Sequence, residues 1–361
     1  MTNRRQFTTT ALGALLATRL GAASATAPTP WRMPDEGDAH RRTWMAFGAA
    51  RSIWGGSMLD GVRADIGRIA RTIAQFEPVT VLARRHEMDL AADSCGDACD
   101  YLACDLNDIW ARDTGCVFVH GNNGAPGGVN LHFNGWGRKQ VHGKDAGVVA
   151  RMARAAGATE VGAGLVMEGG GLEVDGLGTA ILTESCILNR NRNPGMTKAQ
   201  AEAALAAAFG ITHFIWLPGI KGRDITDAHV DFYARFVAPG VVVAHRDSDP
   251  SSYDHAVTQT TLDILNRSVD AAGRPLTVVV LDKPTQPRAP YGRKDLAAGY
   301  VNFYLVNGGV MVPQFGDAGA DANAQAILRE LLPTREVVML PIDAVAAGGG
   351  GIHCVTQQEP L

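Results

Sequence analysis

Cys354 stands in a setting that suits a nucleophile. It follows Gly348-Gly349-Gly350-Gly351-Ile352-His353 and precedes Val355-Thr356-Gln357-Gln358. Consecutive glycines let a backbone turn tightly and approach a ligand closely. A thiol presented in this way can attack carbon if a neighbouring group manages the proton. If Ile352 to Val355 is extended, successive side chains point to opposite faces, so His353 does not serve Cys354 and the partner histidine comes from elsewhere. A small buried cysteine closing a terminal strand explains the same residues. Finding a partner decides between the two.

His229 is the candidate partner. It lies two residues before Asp231 at the start of an alternating run, so an extended chain sets both on one face and Val230 and Phe232 on the other. Asp113, in Asn107-Asp108-Ile109-Trp110-Ala111-Arg112-Asp113, and Glu168, ahead of Gly169-Gly170-Gly171, add two more carboxylates. Three acids and a thiol repel anions and suit a planar cation. A guanidinium fits best, because its N–H donors meet carboxylate oxygens in pairs. Taken singly, each residue has a plainer explanation: a surface histidine, a strand-edge charge at Asp231, an Arg112–Asp113 salt bridge, a Glu168 bond into the glycine turn.

These residues are far apart in sequence, so the fold must converge them. The pattern strand, strand, helix, strand recurs along the chain. Tyr300 to Val306, Val310 to Val312, a helix capped by Asp321 through Leu332, and Glu336 to Leu340 form one unit. Val230 to Phe236, Val241 to Ala244, a helix near Ser252 to Asn266, and Thr277 to Leu281 form another. A third runs through Leu172 to Val174, Thr179 to Leu188, a helix near Lys198 to Phe209 and His213 to Trp216, with Thr197 and Gln200 as a capping box and Gly210 as the stop. Cys116 to Val119, Val129 to Phe133, a helix near Asp145 to Ala156 and Glu160 onward make a weaker unit. Thr43 to Phe47, a helix near Val62 to Phe76 and Val79 to Leu82 make a fragmentary first one. Five like units predict an α/β fold closed as a ring of ββαβ blades in one domain. The alternative is a doubly wound sheet, but no glycine-rich phosphate loop opens a helix. Asn107 to Asp113, Glu168 to Gly170, Asp227 to Asp231 and the Cys354 segment all follow the last strand of a unit. In a ring they would meet at its axis.

Composition sets the remaining bounds. The chain is 46% hydrophobic and 19% charged, with net charge −4, which suits a globular protein and argues against a nucleic-acid surface. Residues 1–25 read as a twin-arginine export signal: Arg4-Arg5, a weakly apolar Ala11 to Ala17, and Ala23-Ser24-Ala25 as the cleavage site. Their removal leaves 30 basic against 37 acidic residues, a balance of −7. The expected product is a soluble periplasmic or secreted protein with no membrane segment. Cys95, Cys99 and Cys104 could form one disulfide in that compartment, whereas their spacing does not suit zinc. Cys116 and Cys186 fall in apolar strand patterns.

The chain resembles the agmatine deiminase and bacterial-type peptidylarginine deiminase family of the guanidino-group-modifying superfamily. The resemblance is carried by Arg32-Met33-Pro34, Asn107 to Gly115, Phe133 to Gly137, Glu168-Gly169-Gly170, Arg192-Asn193-Pro194, His229-Val230-Asp231, Val312 to Asp317 and Gly348 to Gln358. It implies a five-bladed α/β propeller (pentein) over residues 26–361, with Cys354 as nucleophile, His229 as general acid and base, and Asp113, Glu168 and Asp231 holding the guanidinium. The implied reaction is hydrolytic deimination of a small cationic guanidino substrate, agmatine foremost, with no cofactor, no metal and a possible homo-oligomer. Peptidyl-arginine deimination, a non-catalytic guanidine-binding protein and a Cys-His amidase are the competing readings. The chain departs from the family pattern at Phe47-Gly48, Gly115-Cys116 and Gly350-Gly351.

Overall fold

A computed structural model describes residues 31–292 and 296–361. The expected export signal lies outside them. Among the described residues the fold is mixed α/β, with five separate sheets rather than one closed sheet.

Each sheet repeats one pattern, an antiparallel pair followed by a parallel pair whose crossover is a helix. In the third sheet Leu172–Val174 pairs antiparallel with Thr179–Thr183, which pairs parallel with His213–Leu217 after the helix Lys198–Phe209. The fourth joins Ala234–Ala238, Val241–Arg246 and Thr277–Asp282 across His255–Leu265. The fifth joins Tyr304–Val306, Gly309–Gln314 and Glu336–Pro341 across Ala318–Leu331. In the second, Val117–Gly121, Pro126–Asn130 and Thr159–Gly162 surround Val148–Ala156, and Trp31–Arg32 adds an edge strand. A parallel pair needs a long crossover, and an amphipathic helix supplies it while covering the sheet.

The first sheet explains why its unit looked fragmentary. His40–Phe47 pairs parallel with Val79–Ala83 across the helix Arg51–Ile73, but its antiparallel partner is Thr356–Pro360 from the other end of the chain. Cys99–Ala103 extends this sheet. Val62, Ile66, Ile69 and Ile73 occur at helical spacing, and all four are fully buried. Burying a side chain of this size stabilises by about 1.5–3 kcal/mol, so this one face anchors the helix.

Several boundaries shift for local reasons. Thr179 to Leu188 is a strand only to Thr183, and Glu184–Ile187 is a helical turn holding Cys186. Residues 230–232 form a 3-10 turn, and the strand begins at Ala234. Asp317, not Asp321, caps the helix Ala318–Leu331 by accepting from the Ala320 amide. Asp321 instead accepts from the Phe315 and Gly316 amides and the Tyr300 hydroxyl. All six cysteines are free, which overturns a disulfide among Cys95, Cys99 and Cys104; the Cys99 thiol faces the Cys95 carbonyl at 3.5 Å.

Candidate active site

The five residues singled out from the sequence come together. Asp113 sits on the helical turn Ala111–Thr114, Glu168 just before the turn Gly169–Gly171, Asp231 in the turn Val230–Phe232, and Cys354 in the turn His353–Val355. His229 immediately precedes the third of these turns. All five are buried, with Cys354 most open at 5%.

Gly170 marks their point of convergence. A Cβ added there would lie 2.6 Å from His229 Nδ1, 3.0 Å from Asp113 Oδ1 and 3.0 Å from Asp231 Oδ2. Alanine at this position should lower kcat/KM by about 100-fold or more, because it displaces three groups at once. Steady-state kinetics on Gly170→Ala checks this, and near-normal turnover would show that the three groups do not act together.

Each side chain is held from behind. Asp113 accepts from Trp136 Nε1 at 2.8 Å and from the Gly170 amide at 3.0 Å. Glu168 accepts from Arg192 Nε at 2.8 Å, from Arg192 Nη2 at 3.2 Å and from His229 Nε2 at 3.0 Å. The Cys186 thiol adds a contact to Glu168 at 3.6 Å. Asp231 Oδ2 accepts from His353 Nδ1 at 2.7 Å and faces the Cys354 thiol at 3.7 Å. The Cys354 amide donates to Asn302 Oδ1 at 3.3 Å. Two buried atoms of these residues have no hydrogen-bond partner, Asp231 Oδ1 and His229 Nδ1, the latter 3.7 Å from Asp113 Oδ1.

Backbone conformation positions His229. Asp227 and Ala228 both lie in the left-handed region, at φ 63° and 70°. Two consecutive non-glycine residues there are strained, so surrounding bonds must impose the conformation. Asp227 accepts from Arg192 Nη1 at 2.7 Å, Lys139 Nζ at 2.8 Å and the Gly222 amide at 2.8 Å. Arg192 therefore clamps Glu168 and the His229 loop together.

The glycines before Cys354 also have steric reasons. A Cβ at Gly348 would overlap the Trp54 ring, at Gly350 the Trp110 ring and at Gly351 the Asn302 amide. Trp54 and Trp110 donate their indole N–H groups to Asp108, at 2.6 and 3.0 Å. With Trp136 they wall a cavity of about 590 Å³ that also contacts Asp113, His229 and Cys354.

The extended reading of two segments is corrected. Ile352 is helical and His353 to Val355 form a 3-10 turn, so His353 and Cys354 are not on opposite faces of a strand. His353 nevertheless faces Asp231 and Glu36, not the thiol. His229 and Asp231 converge through a turn rather than along a strand. Arg112 pairs with Glu36 at 3.0 Å, leaving Asp113 for the site. Sequence alone assigns no role in the site to Trp136, Cys186, Arg192 or His353. Arg192-Asn193-Pro194 was the only signal for Arg192.

Electrostatics divides the groups. Burial opposes charge on His229, but Asp113, Glu168 and the Cys186 thiol outweigh it and raise its pKa well above the ordinary value. Burial pulls Glu168 upward, yet His229 and Arg192 leave it below the usual carboxylate range. Asp231 is likewise lowered by His353 and His229 against its burial. Burial raises Asp113 to about 6, with Glu168 and Asp231 adding to the rise and His229 opposing it. Burial, then the Asp231 and Asp113 charges, push the Cys354 thiol well above its ordinary value. The site thus holds an imidazolium and a neutral thiol beside carboxylates, ready for a cation. Glu168, Cys186 and His229 place ligand atoms within 4.8 Å of one another, but the Arg192 guanidinium on Glu168 disfavours a metal ion there.

Residues 32–360 match the Porphyromonas-type peptidyl-arginine deiminase family. The chain belongs to this family. Among its relatives, agmatine deiminase of Stutzerimonas stutzeri is 39% identical over 359 residues, covering 91% of this chain and 95% of the relative. Agmatine deiminase of Pseudomonas fluorescens is 37% identical over 366 residues, covering 91% and 95% respectively. The solved agmatine deiminase of Enterococcus faecalis superposes with a TM-score of 0.86 at 29% identity, covering 93% of this chain and 98% of that one. A dimethylarginine dimethylaminohydrolase superposes with a TM-score of 0.53 at 11% identity, a likeness of fold alone.

Proposed function

We propose that this protein hydrolyses a guanidino C–N bond, converting agmatine to N-carbamoylputrescine and ammonia through a covalent adduct on Cys354. The observation that carries the reading is a pair of buried atoms without hydrogen-bond partners, Asp231 Oδ1 and His229 Nδ1, on side chains gathered about Gly170. One accepts a guanidinium N–H; the other, on an imidazolium, donates a proton to a departing nitrogen. The curated relatives named as agmatine deiminases support agmatine as the substrate.

The cation enters the aromatic-walled cavity and is held by Asp113, Glu168 and Asp231. Its charge offsets the Asp231 and Asp113 carboxylates, which add to burial in keeping Cys354 protonated, so the thiol releases its proton to solvent as substrate binds. The thiolate attacks the guanidinium carbon. His229 gives its Nδ1 proton to one nitrogen, and ammonia leaves as the S–C bond of an amidino thioether is retained. Water then attacks that carbon while neutral His229 takes its proton. Collapse of the adduct expels the thiolate and yields a ureido product.

The test is mass spectrometry of products after incubation with agmatine. A gain of about one mass unit, from replacement of =NH by =O, with ammonia released, supports the reading. A binding protein that releases no ammonia, or a shift confined to arginyl peptides, overturns agmatine as substrate.

A pH consequence follows from Asp113, whose carboxyl titrates at about 6. Below that value it is protonated and no longer balances the cation, so log(kcat/KM) should steepen by about one unit per pH unit on the acid side. An unchanged slope across pH 6 would remove Asp113 as a required anion.

We also infer that the five sheets are blades of a five-bladed propeller around this cavity, since the site draws residues from four units. A crystal structure with the sheets arranged otherwise would overturn that inference. Arg4-Arg5 and Ala23-Ser24-Ala25 support export to the periplasm by the twin-arginine route. Arg4→Lys with Arg5→Lys should block it; unaltered export would refute the signal.

A further inference from the structure

Asp231 is braced by a buried assembly that the mechanism above does not use. Its Oδ2 accepts from His353 Nδ1 at 2.7 Å, and His353 Nε2 contacts Glu36 Oε2 at 2.9 Å. Glu36 in turn accepts from Arg112 Nη2 at 3.0 Å, Arg235 Nη2 at 2.7 Å and the Leu305 amide at 2.9 Å. Arg112 neighbours Asp113 and also donates through Nε to the His353 carbonyl at 3.3 Å. One carboxylate, 7% exposed, thereby ties the turns that carry Asp113 and Cys354 to the segment that follows Asp231.

The two oxygens of Asp231 are treated differently. Oδ2 has His353, whereas Oδ1 is buried and bonded to nothing. A carboxylate fixed at one oxygen has a fixed direction at the other. With both ring nitrogens against carboxylates, His353 is not disposed to take the proton of Cys354, although the two are adjacent in sequence.

We propose that His353 is a positioning residue for substrate binding: braced by Glu36, it anchors Asp231 Oδ2 so that Oδ1 faces the bound guanidinium. This rests on the reading of the cavity as a guanidinium site. It assigns His353 no proton transfer and no contact with substrate.

Two amide replacements separate the nitrogens. An asparagine nitrogen falls near the place of Nδ1 and can still donate to Asp231, while a glutamine nitrogen falls near Nε2 and reaches Glu36 instead. His353→Asn and His353→Gln are compared for kcat and KM, and again in a Cys354→Ala background for agmatine affinity by calorimetry. Asn should hold affinity within about threefold of the parent, and Gln should weaken it about 10- to 100-fold, as expected for loss of a buried bond to a charged group. The Gln effect should fall on KM more than on kcat, and melting temperatures should not follow the affinity order.

Equal losses in the two variants, losses that follow thermal stability, or failure of both to fold would make His353 merely structural and overturn the proposal. Unchanged affinity in the Gln variant would do the same. A Cys354→Ala parent that binds no agmatine would overturn both this proposal and the functional reading. Wild-type protein that binds agmatine but releases no ammonia would overturn the functional reading alone, and the calorimetric comparison would still decide the role of His353.

Discussion

Cys354→Ala should stop ammonia release from agmatine while leaving the ligand bound. The thiol supplies the bond that holds the amidino group after ammonia departs, and His229 and the carboxylates cannot replace it. Removal of a covalent nucleophile from an interlocked site costs roughly 10⁴-fold or more in kcat. Binding should persist, because Asp113, Glu168 and Asp231 keep their own partners in Trp136, Arg192 and His353. A coupled ammonia assay and calorimetry read the two properties separately. Turnover within about tenfold of wild type would mean that water attacks without a covalent step.

Arg192→Met should be the most damaging change outside the reacting groups. The Arg192 side chain is fully buried and pairs with Glu168 at 2.8 Å and Asp227 at 2.7 Å. Its removal strands carboxylates in the interior, at a cost of about 3–5 kcal/mol. The sign of the pH dependence follows from the depressed pKa values of Glu168 and Asp227. Groups lowered on folding stabilise the native state above the unfolded carboxylate pKa and lose that contribution as pH falls through the folded value. Without Arg192 both values rise, so the wild-type advantage should be greatest near neutrality and shrink in acid. Thermal melts at pH 7 and near pH 4 test this. An equal difference at both would point to lost packing rather than lost charge pairing. Activity should fall as well, because Glu168 would be protonated more readily and hold His229 less firmly.

The site was legible where chemistry depends on residue type. Asp113, Glu168, His229, Asp231 and Cys354 carry unusual polar groups beside glycine or apolar flanks, and all five converge. The helix Lys198–Phe209 was also readable, from Thr197, Gln200 and Gly210, and so was the later part of Arg51–Ile73, from the apolar face that begins at Val62; its first turns, Arg51 to Gly61, were not. The local geometry was not. Turns at residues 230–232 and 353–355 are set by long-range bonds such as the Cys354 amide to Asn302, and sequence alternation carries no trace of them. Arg192 and His353 look like ordinary polar residues until their partners are known. The strand Thr356–Pro360 was hidden because Gln357, Gln358 and Glu359 are polar yet buried. Arg112 donates to Gln358 at 2.7 Å, and Trp44 donates to Glu359 at 2.8 Å.

The position of that strand orders the maturation of the molecule. His40–Phe47 is made early, yet its antiparallel neighbour Thr356–Pro360 is made only after the other four sheets have been synthesised. Until then a largely buried strand presents an unpaired edge on the nascent chain, open to mispairing and suited to a chaperone's protection. Cys354 lies two residues ahead of the closing strand. Docking of that strand and seating of the thiol between Asp231 and Asn302 are therefore late and coupled events. Chains stalled before them would carry the carboxylates and His229 without the nucleophile, so a growing polypeptide holds its reactive thiol in no assembled site until the sheet is complete.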